Sequence, residues 1–234
     1  MQCKDSAFGF DSAFMVDGMN NLFCEILLER HGESLGNLNG IVLGHTDLDL
    51  TELGYRQAEA CAEALLNEKI DAIYSSDLLR AYHTALPHAI KRGVEVVKSE
   101  RFRELYLGEW ENMRWDEIKT KYKKEYFEDW VLHFATFTSP SGESVMQLAE
   151  RIYSALADVA RQNPGGRILV ATHAAAIRAL FGKILGCTPE EASALLRFPS
   201  NTSISRVLFD GERLLPISYS DAPIAADKST SCDG

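Results

Sequence analysis

Two stretches of this chain place polar, titratable side chains directly behind an apolar run. LERHGES, Leu28 to Ser34, follows FCEIL, and Thr172-His173 follows RILVA. The interior of a strand has no use for an adjacent arginine and histidine, so Arg30 and His31 point to a ligand beyond the strand's carboxyl end. A third stretch, SSDLLRAYHTA, again follows an apolar run and carries Arg80. Basic groups gathered this way have one obvious chemistry, the holding of an anion. Taken singly, each residue has a structural reading of equal standing. His31 could be a hydrogen-bonded core histidine and His173 a cap, while Arg80 or Glu104 could belong to a surface ion pair worth ~0–1 kcal/mol. Their joint position behind strands is what favours a pocket.

The composition sets the frame for such a pocket. The chain has 234 residues, 46% hydrophobic and 25% charged, enough for one α/β domain with a sizeable core. Its formal charge of -10 speaks against a nucleic-acid or anionic-membrane partner. An anionic ligand must therefore be met by a local basic cluster. Five cysteines, Cys3, Cys24, Cys61, Cys187 and Cys232, include no CxxC pair, which indicates reduced thiols in a cytoplasmic protein rather than a disulfide framework or zinc site. His45, His83, His88 and His133 lack metal-ligand spacing, and we assign them packing or solvent-facing roles, with no metal. No apolar run reaches the roughly 20 residues that span a bilayer.

The elements that must position these groups follow from periodicity. Residues 1–22 read as a loose N-terminal arm, with Met15 and Met19 as alternative starts. Phe23 to Leu28 reads as a strand, followed by a Gly- and Asn-rich loop from Gly36 to Gly44. Thr51 caps a helix whose apolar stripe is Ala58, Cys61, Ala62, Leu65 and Leu66. Ile70 to Tyr74 is a second strand; Ser75, Ser76 and Asp77 supply capping groups for a helix from Leu78 that Pro87 should kink or end. A strand over 94–97, an ordered loop FRELYLGEWEN and a helical cap over 114–137 come next. Trp115, Tyr122, Phe127 and Trp130 in that cap read first as packing groups. The stripe Val145, Leu148, Ala149, Ile152, Leu156, Val159 and Ala160 marks a long helix, RILVA a strand, and AAIRALFGKIL another helix. A hairpin around Asp210-Gly211 closes the domain at 221, and 222–234 reads as a flexible tail. The expected fold is an α/β three-layer sandwich with a mostly parallel central sheet flanked by helices. In such sheets ligands bind beyond the strands' carboxyl ends, so Arg30-His31, Ser75 to Arg80 and His173 can converge.

LERHGESLGN, SSDLLRAYHTA, FRELYLGEWEN and VATHAAAIRAL, in that order, resemble the histidine phosphatase, or phosphoglycerate mutase-like, family. The resemblance runs from about Glu25 to Phe209 and includes GHTDLDLTELGYRQA and SGESVMQLAERI. It implies that His31 takes the phosphoryl group as phosphohistidine, that Arg30, Arg80 and His173 surround the phosphoryl oxygens, and that Glu104 is the proton donor. Asn37 is implied as a neutral phosphate donor, and the Gly44 backbone as a close neighbour of the ligand. The segment after Glu104, GEWENMRWDEIKTKYKKEYFEDW, looks like the broad-specificity and α-ribazole phosphatase branch rather than the basic insertion of the mutases. The implied activity is thus metal-independent hydrolysis of a small phosphorylated metabolite, with no cofactor and with a homodimer compatible. A 2,3-bisphosphoglycerate-dependent phosphoglycerate mutase is the runner-up. A non-catalytic phosphate-binding module is the competitor from another class.

Three positions depart from the family pattern. Glu29 stands where an apolar or hydroxyl residue is usual, Asn112 replaces a turn glycine, and Ala174 replaces the glycine that commonly follows the second histidine. Asp47 and Asp49 read as turn residues.

Overall fold

The structure is a computed structural model and describes residues 23–220 except 123, together with 222; the side chains of 124–127 are outside the description. The expectations for the arm over 1–22, for the tail beyond 222 and for the packing of Phe127 fall outside the described residues.

Six strands form one sheet in the order β3-β2-β4-β1-β5-β6, where β1 is Cys24–Arg30, β2 Ala72–Ser75, β3 Val96–Lys98, β4 Arg167–Thr172, β5 Ile204–Phe209 and β6 Leu214–Ser218. The first four in that order run parallel, and β5 and β6 add an antiparallel edge. Strand β1 is buried along nearly its whole length because both of its faces are covered, the usual condition of a central parallel strand. Its alternation divides the core. Ile26 and Leu28 join Leu148, Ile152, Ile168 and Leu180 on one side, and Leu27 joins Cys61, Leu65, Ile73 and Ala85 on the other. Helices α6 (Val145–Gln162) and α7 (Ala174–Ile184) cover the first side, α2 (Glu52–Ala64) and α3 (Leu79–Arg92) the second. The result is the expected three-layer sandwich. Each fully buried leucine contributes about 1.5–3 kcal/mol of apolar burial.

Helix α6 carries the strongest amphipathic stripe, and Ser144 and Gln147 close a capping box at its start. Thr51 caps α2 through the Gly54 N–H, as its sequence implies, but the helix ends at Ala64 and Leu66 lies 43% exposed. Three other expectations are corrected. Within the Gly- and Asn-rich stretch lies a short helix α1, Leu35–Asn39, made possible by a Ser34–Asn37 capping box. Its Gly36 is required by packing, since a Cβ there would stand 2.4 Å from Leu43. Pro87 does not end α3, whose buried face of Ala81, Thr84, Ala85, His88 and Ala89 holds the helix through to Arg92. The start of α3 is capped as expected by Ser76, whose Oγ accepts the Leu78 N–H at 3.3 Å, but the Leu79 N–H goes to Asp47 at 2.7 Å, and Asp77 pairs with Arg103 instead. Asp47 and Asp49 are structural, the latter bound to His83, Tyr55 and the Leu50 N–H.

The cap consists of α4 (Trp115–Lys121), α5 (Lys124–Leu132) and a 3-10 turn at Phe134–Thr136. Against it lies α8 (Pro189–Leu195), which the sequence reading did not mark. It is only seven residues long and depends on a Thr188–Glu191 capping box. Asn112, where glycine is usual, adopts the left-handed conformation at φ 65°, as asparagine can.

Candidate active site

Strand register builds the floor of the site. Arg30 pairs with Thr172 across β1 and β4, and Ser75 with Ala171 across β4 and β2, so three strands end level. The ladder continues one residue beyond them, with the His31 N–H on the Thr172 carbonyl and the Ser76 N–H on that of Ala171. His31, the His173 cap of α7 and Arg80, the second residue of α3, are thereby delivered to one edge. Arg30, His31, Asn37, Gly44, Arg80 and Glu104 all line a cavity of about 230 Å³ there.

His31 is held as a nucleophile would need to be. Its Nδ1 lies 2.7 Å from the Gly32 carbonyl, which can only accept, so Nδ1 carries the hydrogen and Nε2 the lone pair. Burial, reinforced by the charges of Arg80 and Arg30, holds its pKa well below the usual 6.5, against the contrary pull of the Gly32 bond. The ring is therefore neutral at pH 7. His173 stands edge-on to it, centroids 5.3 Å apart, fully buried, with no hydrogen-bond partner on either ring nitrogen among the described residues. Its pKa is likewise held well below 6.5, by burial first and then by Arg80 and His31.

The arginines are tethered at one end and open at the other. Arg80 is 1% exposed and donates to the carbonyls of Thr46, at 2.9 Å, and Gly44, at 2.8 Å. Arg30 donates to the Pro199 carbonyl, while its buried Nε has no partner among the described residues. Burial lowers both pKa values to about 10, leaving both groups cationic at neutral pH. Among the described lining residues the only carboxylate is Glu104. Two buried cations facing a single acid make a site poised for an anion.

Glu104 comes from the irregular stretch between two 3-10 turns, Glu100–Phe102 and Gly108–Trp110. Its Oε2 accepts the Ala175 N–H at 3.1 Å, and Oε1 accepts those of Ala176 and Leu105 at 3.2 and 2.9 Å. It thus sits on the N-terminus of α7, where the free N–H groups and helix dipole favour a negative charge. Asn37 uses its Oδ1 within the α1 cap, accepting the Ser34 N–H, so the amide nitrogen is the end left for a ligand. Gly44 lines the cavity, but what demands a glycine there is its φ of 52° and Glu111, whose Oε1 would stand 2.1 Å from a Cβ. Ala174 is the first residue of α7 and also lines the cavity.

Several supports were not legible in the sequence. Thr84 accepts the Gly32 N–H at 2.9 Å, and the backbones of Gly32 and Gly54 pack so closely that a Cβ on Gly32 would meet the Gly54 carbonyl at 2.5 Å. Glu111 binds the N–H groups of His45 and Leu107, tying the Gly44 loop to the Glu104 segment. Asn201 donates to the His31 carbonyl.

Glu29 points to the other side of β1. Its carboxylate lies 3.0 Å from His88 Nε2, both side chains fully buried against α2 and α3. Among the described residues, Glu29, Cys61 and His88 form the one group of three metal-ligating side chains, with donor atoms within 4.8 Å of one another; none of them lines the cavity that holds His31 and Arg80. His45, His83 and His133 stand apart from it, His83 paired with Asp49.

The family model described as histidine phosphatase superfamily (branch 1) matches residues 26–221. The metal-independent phosphoserine phosphatase of Arabidopsis thaliana is 34% identical over 84% of this chain and 81% of its own length. A probable phosphoglycerate mutase GpmB of Yersinia pestis is 35% identical over 78% of this chain and 84% of its own. Among solved structures, a mycobacterial glucosyl-3-phosphoglycerate phosphatase complexed with VO3 superposes with a TM-score of 0.76 at 27% identity, covering 85% of this chain and 99% of that one.

Proposed function

The chain belongs to the histidine phosphatase superfamily, and from that premise we propose that it is a metal-independent phosphomonoesterase working through a phosphohistidine on His31. The observation that carries the proposal is the pairing of a neutral, tautomer-fixed His31 with two buried arginines and an unpartnered His173. In this reading Arg30, Arg80 and His173 hold the phosphoryl oxygens and stabilise their charge through the transition state. His31 Nε2 attacks phosphorus. The N–P bond forms as the P–O bond to the alcohol breaks, and Glu104 relays the proton of the monoanionic ester to the departing oxygen. In the second half Glu104 takes a proton from water as that water attacks phosphohistidine, which releases inorganic phosphate and restores the imidazole. Asn37 adds a neutral donor to the bound phosphate, and the Gly44 carbonyl orients Arg80.

Hydrolysis is favoured over mutase chemistry because a bisphosphorylated, carboxylate-bearing cofactor needs further cations, and the described cavity lining has none beyond Arg30 and Arg80. A cytoplasmic setting is supported by the buried thiols of Cys24 and Cys61, which form no disulfide among the described residues; among the described residues no helix is long and apolar enough to cross a membrane.

The test is p-nitrophenyl phosphate hydrolysis in excess EDTA, comparing wild type with His31→Ala. The expected result is chelator-insensitive turnover that the substitution abolishes, with a phosphoenzyme trapped on wild type alone. Equal inactivity of both proteins, with phosphorylated ligands still bound, would instead identify a binding module. Isomerisation of phosphoglycerate with negligible phosphate release would identify a mutase.

A further inference from the structure

Above the charged floor, the cavity changes character. Its remaining wall is formed largely by Ile41, Leu43, Leu107, Trp115, Trp130 and Phe198. The ionisable groups among the described lining residues are Arg30, His31, Arg80 and Glu104, all of which the hydrolytic reading assigns to the phosphoryl group or the leaving oxygen. They are also tethered. Arg80 is fixed to two carbonyls, Arg30 to another, and Glu104 to the N–H groups of α7. An ammonium or second carboxylate on the substrate would therefore enter this wall without a partner, and an unpaired buried charge costs several kcal/mol.

The aromatic part of the wall is rigid. Trp130 stacks on Phe198 with centroids 5.3 Å apart and planes at 23°, and lies 5.7 Å from Trp115 at 32°. The buried Trp110 supports both tryptophans edge-on. Phe198 is held in addition by the Arg178 guanidinium, 4.4 Å from its centroid and equally 4.4 Å from that of Phe134. Three half-buried aromatic rings fixed in this way give an apolar wall beside the charged floor, and covering it with apolar substrate contributes roughly 25 cal/mol per Å².

We propose that Trp115, Trp130 and Phe198 form the seat for the leaving group, and that the preferred substrates are monoesters of uncharged, apolar alcohols rather than of amino acids or glycerate. The assignment rests on the hydrolytic reading of the same site. It separates this chain from the phosphoserine phosphatase to which it is similar, because an amino acid's two charges find no complement among the described lining residues.

The test is kcat/KM for 2-phenylethyl phosphate, O-phosphoserine, 3-phosphoglycerate and glycerol 2-phosphate, all esters of aliphatic alcohols, so that leaving-group activation does not dominate. The phenylethyl ester is expected to exceed phosphoserine and 3-phosphoglycerate by at least about 100-fold, the scale set by leaving polar groups unpaired. Trp130→Ala and Phe198→Ala should each lower kcat/KM for the phenylethyl ester about 10-fold more than for glycerol 2-phosphate, chiefly through KM. In wild type, independently of any variant's folding, 2-phenylethylphosphonate should inhibit at least 10-fold more tightly than 2-amino-3-phosphonopropionate. Preference for phosphoserine or 3-phosphoglycerate, with turnover intact, overturns the seat and leaves the phosphatase reading standing. Release of phosphate from none of the four esters overturns both.

Discussion

The floor and the roof of the cavity are built in opposite ways. The floor consists of Arg30, His31 and Arg80, with the fully buried His173 edge-on to His31; it is set by parallel strands that end in register, and most of these side chains are tied to backbone carbonyls or sealed from water. The roof, Trp115 and Trp130 from the cap and Phe198 from the segment after α8, is held by ring contacts and a cation. A hydrogen-bonded floor fixes charge to within fractions of an ångström, which phosphoryl transfer requires. A roof of side-chain packing can be recut without disturbing that geometry. The difference teaches that, on the proposed reading, reaction type and substrate choice are separable in this molecule.

The severest test of that separation is His31→Ala. Turnover should fall by roughly 10⁴-fold or more for every ester alike, the scale for losing a nucleophile, with an unchanged circular dichroism spectrum. A loss confined to one class of ester would dissolve the distinction. Arg80→Ala should lower kcat by about 10²–10³-fold, again independently of the leaving group, as expected for removing a transition-state donor.

A third test concerns the far side of the same strand. Removing one member of the buried Glu29–His88 pair, by Glu29→Leu or His88→Leu, should cost about 3–5 kcal/mol of unfolding free energy, while the double replacement recovers much of it. Chemical denaturation of the three variants measures this. Additive losses would mean that the contact couples nothing.

The smallest effect is on pH. With its pKa held well below 6.5, His31 should remain neutral and competent to about pH 6, so kcat/KM should show no loss from its protonation between pH 7 and 6. Stability follows the same shift. His31 and His173 bind protons in the unfolded chain below about pH 6.5 but resist them when folded, so unfolding free energy should decline as pH falls from about 6.5 to 5. Thermal melts across this range check the sign, and His31→Asn should flatten the slope.

Much of the floor was readable from the sequence because its signals are local. An apolar run ending in Arg30-His31, another ending in His173, and Arg80 just inside a helix are patterns of a few residues. The long helix α6 was legible for the same reason, since a 3.6-residue stripe and a capping box are written into adjacent positions. The departures from expectation occur where distant groups decide. The start of α3 depends on Asp47, 32 residues earlier, and its continuation through Pro87 on the face it buries. Helices α1 and α8 are short, so their periodicity is weak and their caps carry the signal.

By itself, then, the sequence determined the layer architecture, the strand ends that face a ligand and the residue types gathered there. It did so because period, capping and strand-end chemistry are short-range properties. Only the tertiary structure decided that Glu104 would rest on the N–H groups of α7, that Trp115 and Trp130 would turn a packing cluster into a cavity wall, and that Glu29 would leave the pocket and meet His88. Those outcomes depend on sheet register and on contacts between segments 50 to 170 residues apart, which no local pattern encodes.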